Sequence, residues 1–223
     1  MAARPNTINS SGGVSLTGVR FRYPRGFELN IPAMEIAGGE QVLLAGPSGS
    51  GKSTLLHLIA GLEEPTQGEI HIAGTNIFQL RAGARDIFRG RHIGMIFQTF
   101  NLLQGFSALE NVMLALMLAG YASHDQRARA LAALDRLGIN EPDARVEALS
   151  VGQQQRVAVA RAVAGEPCVV LADEPTASLD PANATTSIAL IQEAARNSGA
   201  ALIVTSHDPS LRSAFTRVIE VAA

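Results

Sequence analysis

The sequence predicts an α/β protein built on a mainly parallel β-sheet, and three features predict it. Gly46 to Thr54 reads GPSGSGKST, which fits the phosphate-loop pattern of Gly, four residues, then Gly-Lys-Ser. The loop lies between an apolar run, Gln41 to Ala45, that suits a buried strand, and a segment in which Leu55, Leu56, Leu58 and Ile59 recur at helical spacing. Further on, Cys168 to Ala172 and Ala200 to Thr205 are continuous runs of the kind found in parallel strands covered on both faces.

The residue types of the loop follow from the chemistry of a triphosphate. Its tail is dense in negative charge, and backbone N–H groups at a helix N-terminus meet it with the roughly half positive charge of the helix macrodipole. Gly46, Gly49 and Gly51 let the backbone turn and approach closely, with Pro47, Ser48, Ser50 and Thr54 completing the loop. Lys52 supplies a compact ammonium for the β- and γ-phosphates, and the Ser53 hydroxyl is placed to ligate Mg²⁺. Lys52 is also the only lysine in a chain whose other cations are arginines, so lysine stands where a point charge is wanted and not a planar fork.

Composition excludes several classes. At 223 residues, 47% of them hydrophobic, the chain is long enough to bury one substantial core and to carry an inserted subdomain. A net charge of -2 supplies no basic field, so no nucleic-acid partner is expected. Arg81, Arg85, Arg89 and Arg91 cluster, but Asp86 interrupts them and no aromatic platform is near, so they read as a solvated face. Cys168 is the only cysteine, which excludes an internal disulfide and points to a buried thiol in a reducing compartment. Residues 1–13 are polar, lack the apolar centre of a signal peptide and read as a loose tail. The longest strongly apolar helical stretch, Val112 to Ala119, is far short of the ~20 residues of a membrane span, so work at a membrane requires a partner.

Val14 to Tyr23 and Phe27 to Ile36 alternate apolar and polar residues around Pro24-Arg-Gly26, which predicts a β-hairpin. Tyr23 sits at the turn, where its ring is either half-buried or free to stack on a base. The helix after the phosphate loop ends near Gly61, and Ile70 and Ile72 alternate in a short strand before Gly74. Ile93 to Phe97 is an apolar strand ending at Gln98, whose amide is placed to reach a bound Mg²⁺ or water. From Phe100 to about Gly165 the pattern is helical. Ser107 with Glu110, Ser123 with Gln126 and Ser150 with Gln153 each fit a capping box, and Gly120 and Gly138 fit as stops. The stretch NVMLALMLAG, with Met113 and Met117, reads first as core and second as an adaptable surface for a partner's helix.

The strand from Cys168 delivers Asp173 and Glu174 at its C-terminal end, where open α/β sheets bind their ligands. One carboxylate there can hold the shell of a Mg²⁺ ion while its neighbour polarises a water for attack on the γ-phosphate. Asp180-Pro181 fits the start of a helix that reaches Gly199. The next strand, Ala200 to Thr205, ends at Ser206-His207, a histidine that is either structural or a phosphate contact. Phe215 to Val221 closes the sheet.

Taken together these residues resemble the ATP-binding subunit of an ABC transporter, over nearly the whole chain from Val14 on. Tyr23 resembles the adenine-stacking aromatic, Gly46 to Thr54 the Walker A loop, Gln98 the glutamine that links nucleotide to the membrane partner, and LSVGQ (Leu149 to Gln153) the signature motif. Asp173 resembles the Walker B aspartate, Glu174 the catalytic glutamate, Asp180 the aspartate of the dimer-contacting loop and His207 the switch histidine. The sequence departs from the family's commonest signature at Val151, where glycine is usual, so that position must have an ordinary backbone conformation.

The resemblance implies a P-loop NTPase (RecA-like) core, an N-terminal antiparallel β subdomain and a helical subdomain of about 100–165 inserted into the core, together one ATPase domain over 14–223. It implies hydrolysis of ATP with Mg²⁺ held by Ser53, Gln98 and Asp173, and with Glu174, His207, Lys52 and Gln98 in catalytic roles. Ser150, Gly152 and Gln153 are then expected to face ATP bound to a second copy, in a head-to-tail homodimer that moves integral membrane permease subunits from the inner face of the cell membrane. FNLLQGFSALENV and HIGMIFQ resemble the subunits of lipoprotein-releasing, macrolide-export and cell-division complexes, and amino-acid importers share part of this pattern. Rival readings fit less well. ABC-type ATPases of DNA repair carry long coiled-coil arms, and nothing between Lys52 and Asp173 sustains heptads. A non-hydrolysing ATP-binding module has no need of Glu174 and His207, and a P-loop kinase has none of LSVGQ.

Overall fold

Strands and helices follow the periodicities of the sequence. The computed structural model describes residues 13–24, 26–177, 179 and 181–221. In chain order its elements are β1 (Val14–Arg22), β2 (Glu28–Ile36), β3 (Gln41–Ala45), α1 (Lys52–Ile59), β4 (Gln67–Ile72), β5 (Thr75–Asn76), α2 (Ala82–His92), β6 (Ile93–Ile96), α3 (Ala108–Leu118), α4 (Ser123–Arg136), α5 (Val151–Val163), β7 (Val169–Asp173), α6 (Pro181–Ser198), β8 (Ala201–Ser206) and β9 (Arg217–Glu220), with short 3-10 turns between some of them. Of the expected loose tail only Gly13 is among the described residues, and Arg25 of the expected turn and Asp180 lie outside them.

The continuous apolar runs form a five-stranded sheet in the order β6-β7-β8-β3-β9, parallel at every pairing. Alternate residues of its strands enter opposite cores, as the period of 2 requires. Val42, Leu44, Val169, Leu171, Ala201 and Ile203 pack with the leucines of α1 and with the second sheet. Leu43, Ala45, Val170, Ala172, Leu202 and Val204 pack against α3, α4, α5 and α6. The second sheet is four-stranded, in the order β2-β1-β4-β5, and antiparallel throughout. Its hairpin keeps one register from Val14 opposite Ile36 to Arg22 opposite Glu28. The architecture is that of a P-loop NTPase α/β fold.

Two of the three expected capping boxes form. Ser107 Oγ accepts from the Glu110 N–H at 3.1 Å and the Glu110 carboxylate accepts from the Ser107 N–H at 2.8 Å, and Ser150 with Gln153 does the same at the start of α5. The third does not. Ser123 is already the first residue of α4, because Gln126 turns inward and its amide donates to the Tyr121 carbonyl at 2.8 Å. Gly120 and Gly138 end α3 and α4 in the left-handed conformation expected of stops. The apolar stretch of α3 divides: Val112 and Leu116 are buried, while Met117 and Leu118 are exposed.

The arginine cluster is more than the solvated face the sequence predicts. Arg91 donates to the carbonyls of Ala119 and Gly120 at 2.9 Å each, Arg89 pairs with Asp86 at 2.7 Å, and Arg85 lies over the Phe78 ring. Arginine forks thus satisfy carbonyls left without partners at the end of α3. Cys168 is half-buried, its thiol donating to the His92 carbonyl at 3.3 Å, and burial pushes its pKa up. No helix among the described residues is long and apolar enough to cross a membrane.

Gly94 in β6 lies close against α5. A Cβ there meets the Ala162 carbonyl oxygen at 2.2 Å, and that oxygen belongs to the rigid backbone of α5. Gly94→Ala is expected to destabilise the protein by about 1–3 kcal/mol, read as a lower midpoint in urea unfolding.

Candidate functional site

The phosphate loop joins the C-terminal end of β3 to the start of α1. Gly51 precedes the helix at φ 93°, a left-handed conformation open to glycine, and a Cβ there meets the Phe27 ring at 2.6 Å. No motif in the sequence marks Phe27, and its place beyond the hairpin turn brings its ring against the loop. Lys52 is only 5% exposed. Its ammonium donates to the carbonyls of Gly46 at 2.8 Å and Pro47 at 3.0 Å, and lies 3.7 Å from Glu174 Oε1. The hydroxyl of Ser50 is buried in the same loop without a hydrogen-bond partner.

The ends of β7 and β8 bring the other groups to this point. Ser53 Oγ donates to Asp173 Oδ1 at 2.9 Å, and Thr205 Oγ1 donates to the same oxygen at 2.7 Å. Glu174 has φ 45°, a conformation that costs a non-glycine residue about 1–3 kcal/mol and that surrounding contacts must hold. Its N–H donates to Thr205 Oγ1 at 2.9 Å, and its Oε2 lies 3.0 Å from His207 Nδ1. Beyond His207, the Asp208 carboxylate caps a 3-10 turn by accepting from the Ser210 N–H at 2.8 Å, a bond that lowers its pKa.

Lys52, Ser53, Glu174 and His207 line one cavity of about 440 Å³ together with Tyr23, Phe27, Ser48, Gly49, Gly51, Thr54 and Gln98, whereas Gly46, Pro47, Ser50 and Asp173 do not line it. Tyr23 stands at its rim with an edge contact to Phe21, the ring centroids 4.7 Å apart. Gln98 enters from just beyond β6. Ser53 and Asp173 offer hard oxygen donors side by side, a set that suits Mg²⁺ carried in by phosphates. Among the described residues no group of three or more His, Cys, Asp or Glu could hold a metal ion by itself.

Ser150, Gly152 and Gln153 do not line this cavity. They form the exposed start of α5, where Ser150 Oγ accepts from the Gln153 N–H at 3.3 Å and Gln153 Oε1 accepts from the Ser150 N–H at 2.9 Å. Val151 is the first helical residue and is 57% exposed, in the ordinary backbone conformation its β-branch requires. A separate hollow of about 460 Å³ lies beside it, between α5 and α6.

A family model described as "ABC transporter" matches residues 29–177, two thirds of the chain. The chain belongs to the ABC transporter family. It is an ABC-type ATPase, and its relatives point the same way. The lipoprotein-releasing system ATP-binding protein LolD of Chromohalobacter salexigens is 42% identical over 192 residues, covering 84% of this chain and 80% of that protein. The macrolide export ATP-binding/permease protein MacB of Syntrophobacter fumaroxidans is 38% identical over 216 residues, covering 93% of this chain but 30% of that longer protein. Among solved structures, the dimeric ATP-binding cassette MJ0796 in a post-hydrolysis state with ADP and Pi superposes with a TM-score of 0.79 at 35% identity, covering 94% of both chains.

The reciprocal cap at the start of this ATPase's α5 sets a measurable energy. Ser150→Ala is expected to cost about 1 kcal/mol of stability in denaturant unfolding, and Ser150→Thr to cost a few tenths at most.

Proposed function

We propose that this ABC ATPase is the energy-coupling subunit of a membrane complex of the lipoprotein-releasing, macrolide-export and cell-division type, and that it works as a head-to-tail homodimer. The observation that carries the reading is the meeting of Lys52, Ser53, Gln98, Glu174 and His207 in one cavity, while the serine-led start of α5 opens elsewhere on the same chain. In this reading residues 14–223 are one ATPase domain, with the helices of about 100–165 inserted in its core.

ATP lies with its adenine on Tyr23 and its phosphates along Gly46 to Thr54. The Lys52 ammonium turns from the Gly46 and Pro47 carbonyls to the β- and γ-phosphates, as a compact cation with rotatable donors can. Ser53, Gln98 and Asp173 would hold Mg²⁺, which would supply positive charge against the phosphates. Glu174 Oε1 takes the proton of a water whose oxygen attacks the γ-phosphorus, the bond to the β-phosphate oxygen breaks, and ADP and phosphate leave. His207, 3.0 Å from Glu174 Oε2, holds that carboxylate and contacts the γ-phosphate. Ser150, Gly152 and Gln153 cannot serve the same ATP from within one chain, so they face the γ-phosphate bound to the second copy, and Asp180, outside the described residues, resembles the aspartate of the family's dimer-contacting loop.

The membrane partner docks beside Gln98. A groove of about 530 Å³ there is lined by Leu62, Met95, Phe97, Leu116 and Leu118, with Leu62 and Leu118 well exposed. An apolar groove of this size suits the face of a partner's helix. The permease subunits seated on it keep the ATPase at the inner face of the membrane.

Glu174→Gln is expected to lower phosphate release at least ~100-fold while leaving ATP bound and trapping a dimer visible by light scattering. A Glu174→Gln protein that hydrolyses ATP at the wild-type rate removes Glu174 from the reaction. Leu118→Arg, at a residue that does not line the nucleotide cavity, is expected to abolish co-purification with the membrane subunits from detergent extracts while the isolated chain keeps its ATP turnover. Identification of the subunit captured by the wild-type chain separates this reading from an amino-acid importer.

A further inference from the structure

We propose that Thr205 is a positioning residue for the hydrolytic step, its single hydroxyl setting the backbone of Glu174 and the carboxylate of Asp173 together. The inference rests on the roles given above to those two acids. β8 is buried along its whole length, and after Ala201 to Val204 its chemistry changes at Thr205, which is 0% exposed. A polar side chain in such a place is kept because both its bonding capacities are used. The Thr205 hydroxyl has one proton to give, and it goes to Asp173 Oδ1 at 2.7 Å. Its lone pair accepts the Glu174 N–H at 2.9 Å. Thr205 stands directly opposite Asp173 in the β7–β8 register, so these bonds run between neighbouring strands at the edge of the cavity.

Glu174 needs such an anchor. Its left-handed backbone, φ 45°, aims the side chain into the cavity and is not held by any intrinsic preference of glutamate. The Glu174 N–H is tied to Thr205, and the Glu174 carbonyl accepts from the Ala177 N–H at 3.1 Å. Just past Thr205 on the same strand end, His207 meets the Glu174 carboxylate at 3.0 Å. The end of β8 therefore grips Glu174 at two points, backbone and side chain. On the other side, Asp173 Oδ1 accepts from both Thr205 and Ser53, so one oxygen receives a donor from β8 and another from α1. A shift of either acid by a fraction of a hydrogen-bond length misaligns the water and the ion they serve.

Valine has the shape of threonine without the hydroxyl, and serine has the hydroxyl without the methyl. Thr205→Val is expected to lower kcat for phosphate release about tenfold or more at saturating ATP and Mg²⁺, with the affinity for a fluorescent ATP analogue held within about twofold, and Thr205→Ser to recover kcat to within about threefold of wild type. A purely structural role predicts a different pattern, in which kcat, affinity and melting temperature fall together and serine rescues no better than valine; that pattern overturns the inference. Should the valine variant fail to fold, Thr205→Ala carries the same comparison with serine. Glu174→Gln, measured alongside, separates the two readings. Wild-type kcat in Thr205→Val beside an inactive Glu174→Gln overturns the role of Thr205 alone, whereas wild-type kcat in Glu174→Gln overturns the role of Glu174 and this inference with it.

Discussion

Burial of the parallel sheet on both faces is the constraint on which the rest of the structure depends. With one core under α1 and another under α3 to α6, the middle strands are buried along their length except at Gln41, where β3 begins, and Asp173, where β7 ends. An unpaired charge there costs several kcal/mol, so ionic chemistry is driven to the strand ends. Their C-terminal ends share one edge because the strands are parallel. β3 passes there into the phosphate loop, β6 into the segment of Gln98, β7 into Asp173 and Glu174, and β8 into His207. The site is what the sheet leaves over at its edge, and Thr205 is a polar residue that stays inside with both its bonds made.

Within that edge, Glu174 lies between the Lys52 ammonium and the His207 imidazole. Lys52 lies 3.7 Å from one carboxylate oxygen and His207 3.0 Å from the other. Lys52 is nearly buried, and its ammonium is further stabilised by the carbonyls at the mouth of its own loop. The loop's acceptors and the phosphates of a nucleotide are alternatives for the same three N–H donors. Under the proposed function, arrival of phosphates draws Lys52 away from Glu174 and leaves the carboxylate to His207 and water. Charge inside the cavity is then rearranged with little movement of the backbone.

What could be read from the sequence depended on how local the cause was. The phosphate loop and the parallel strands were legible because their signals lie within a few residues: the glycine spacing, and apolar runs with acids only at the end. The caps at Ser107 and Ser150 were legible for the same reason. Ser123 carried an equal local signal and formed no cap, because the amide of Gln126 found the Tyr121 carbonyl instead, and Tyr121 is fixed from afar by its hydroxyl on the Gly165 carbonyl at 2.6 Å. The left-handed backbone of Glu174 was hidden too, since it depends on a hydroxyl from another strand. Thr205 did leave a trace, a polar residue closing an otherwise apolar strand. Phe27 against the phosphate loop left none, because its neighbours mark the hairpin turn but not the distant loop its ring packs against.

The two helix starts that matter here, those of α1 and α5, are separate on one chain but not mechanically independent. Arg161 of α5 donates to the carbonyls of Phe100 and Asn101 at 2.6 Å each, and burial lowers its pKa. Those two residues have left-handed backbones and follow Gln98 closely, so the turn after Gln98 is fastened to the body of the helix that Ser150 starts. Asn111 of α3 adds a second fastening through the backbone of Leu103, accepting from its N–H at 2.7 Å and donating to its carbonyl at 3.2 Å. A third comes from Glu147, just ahead of Ser150, whose carboxylate accepts the Gly105 N–H. Under the proposed function, a force applied at the apolar groove beside Gln98 reaches the start of α5 through these hydrogen bonds. That continuity is what an energy-coupling subunit requires, because a change at the phosphates and a change at the membrane face must share one set of rigid parts.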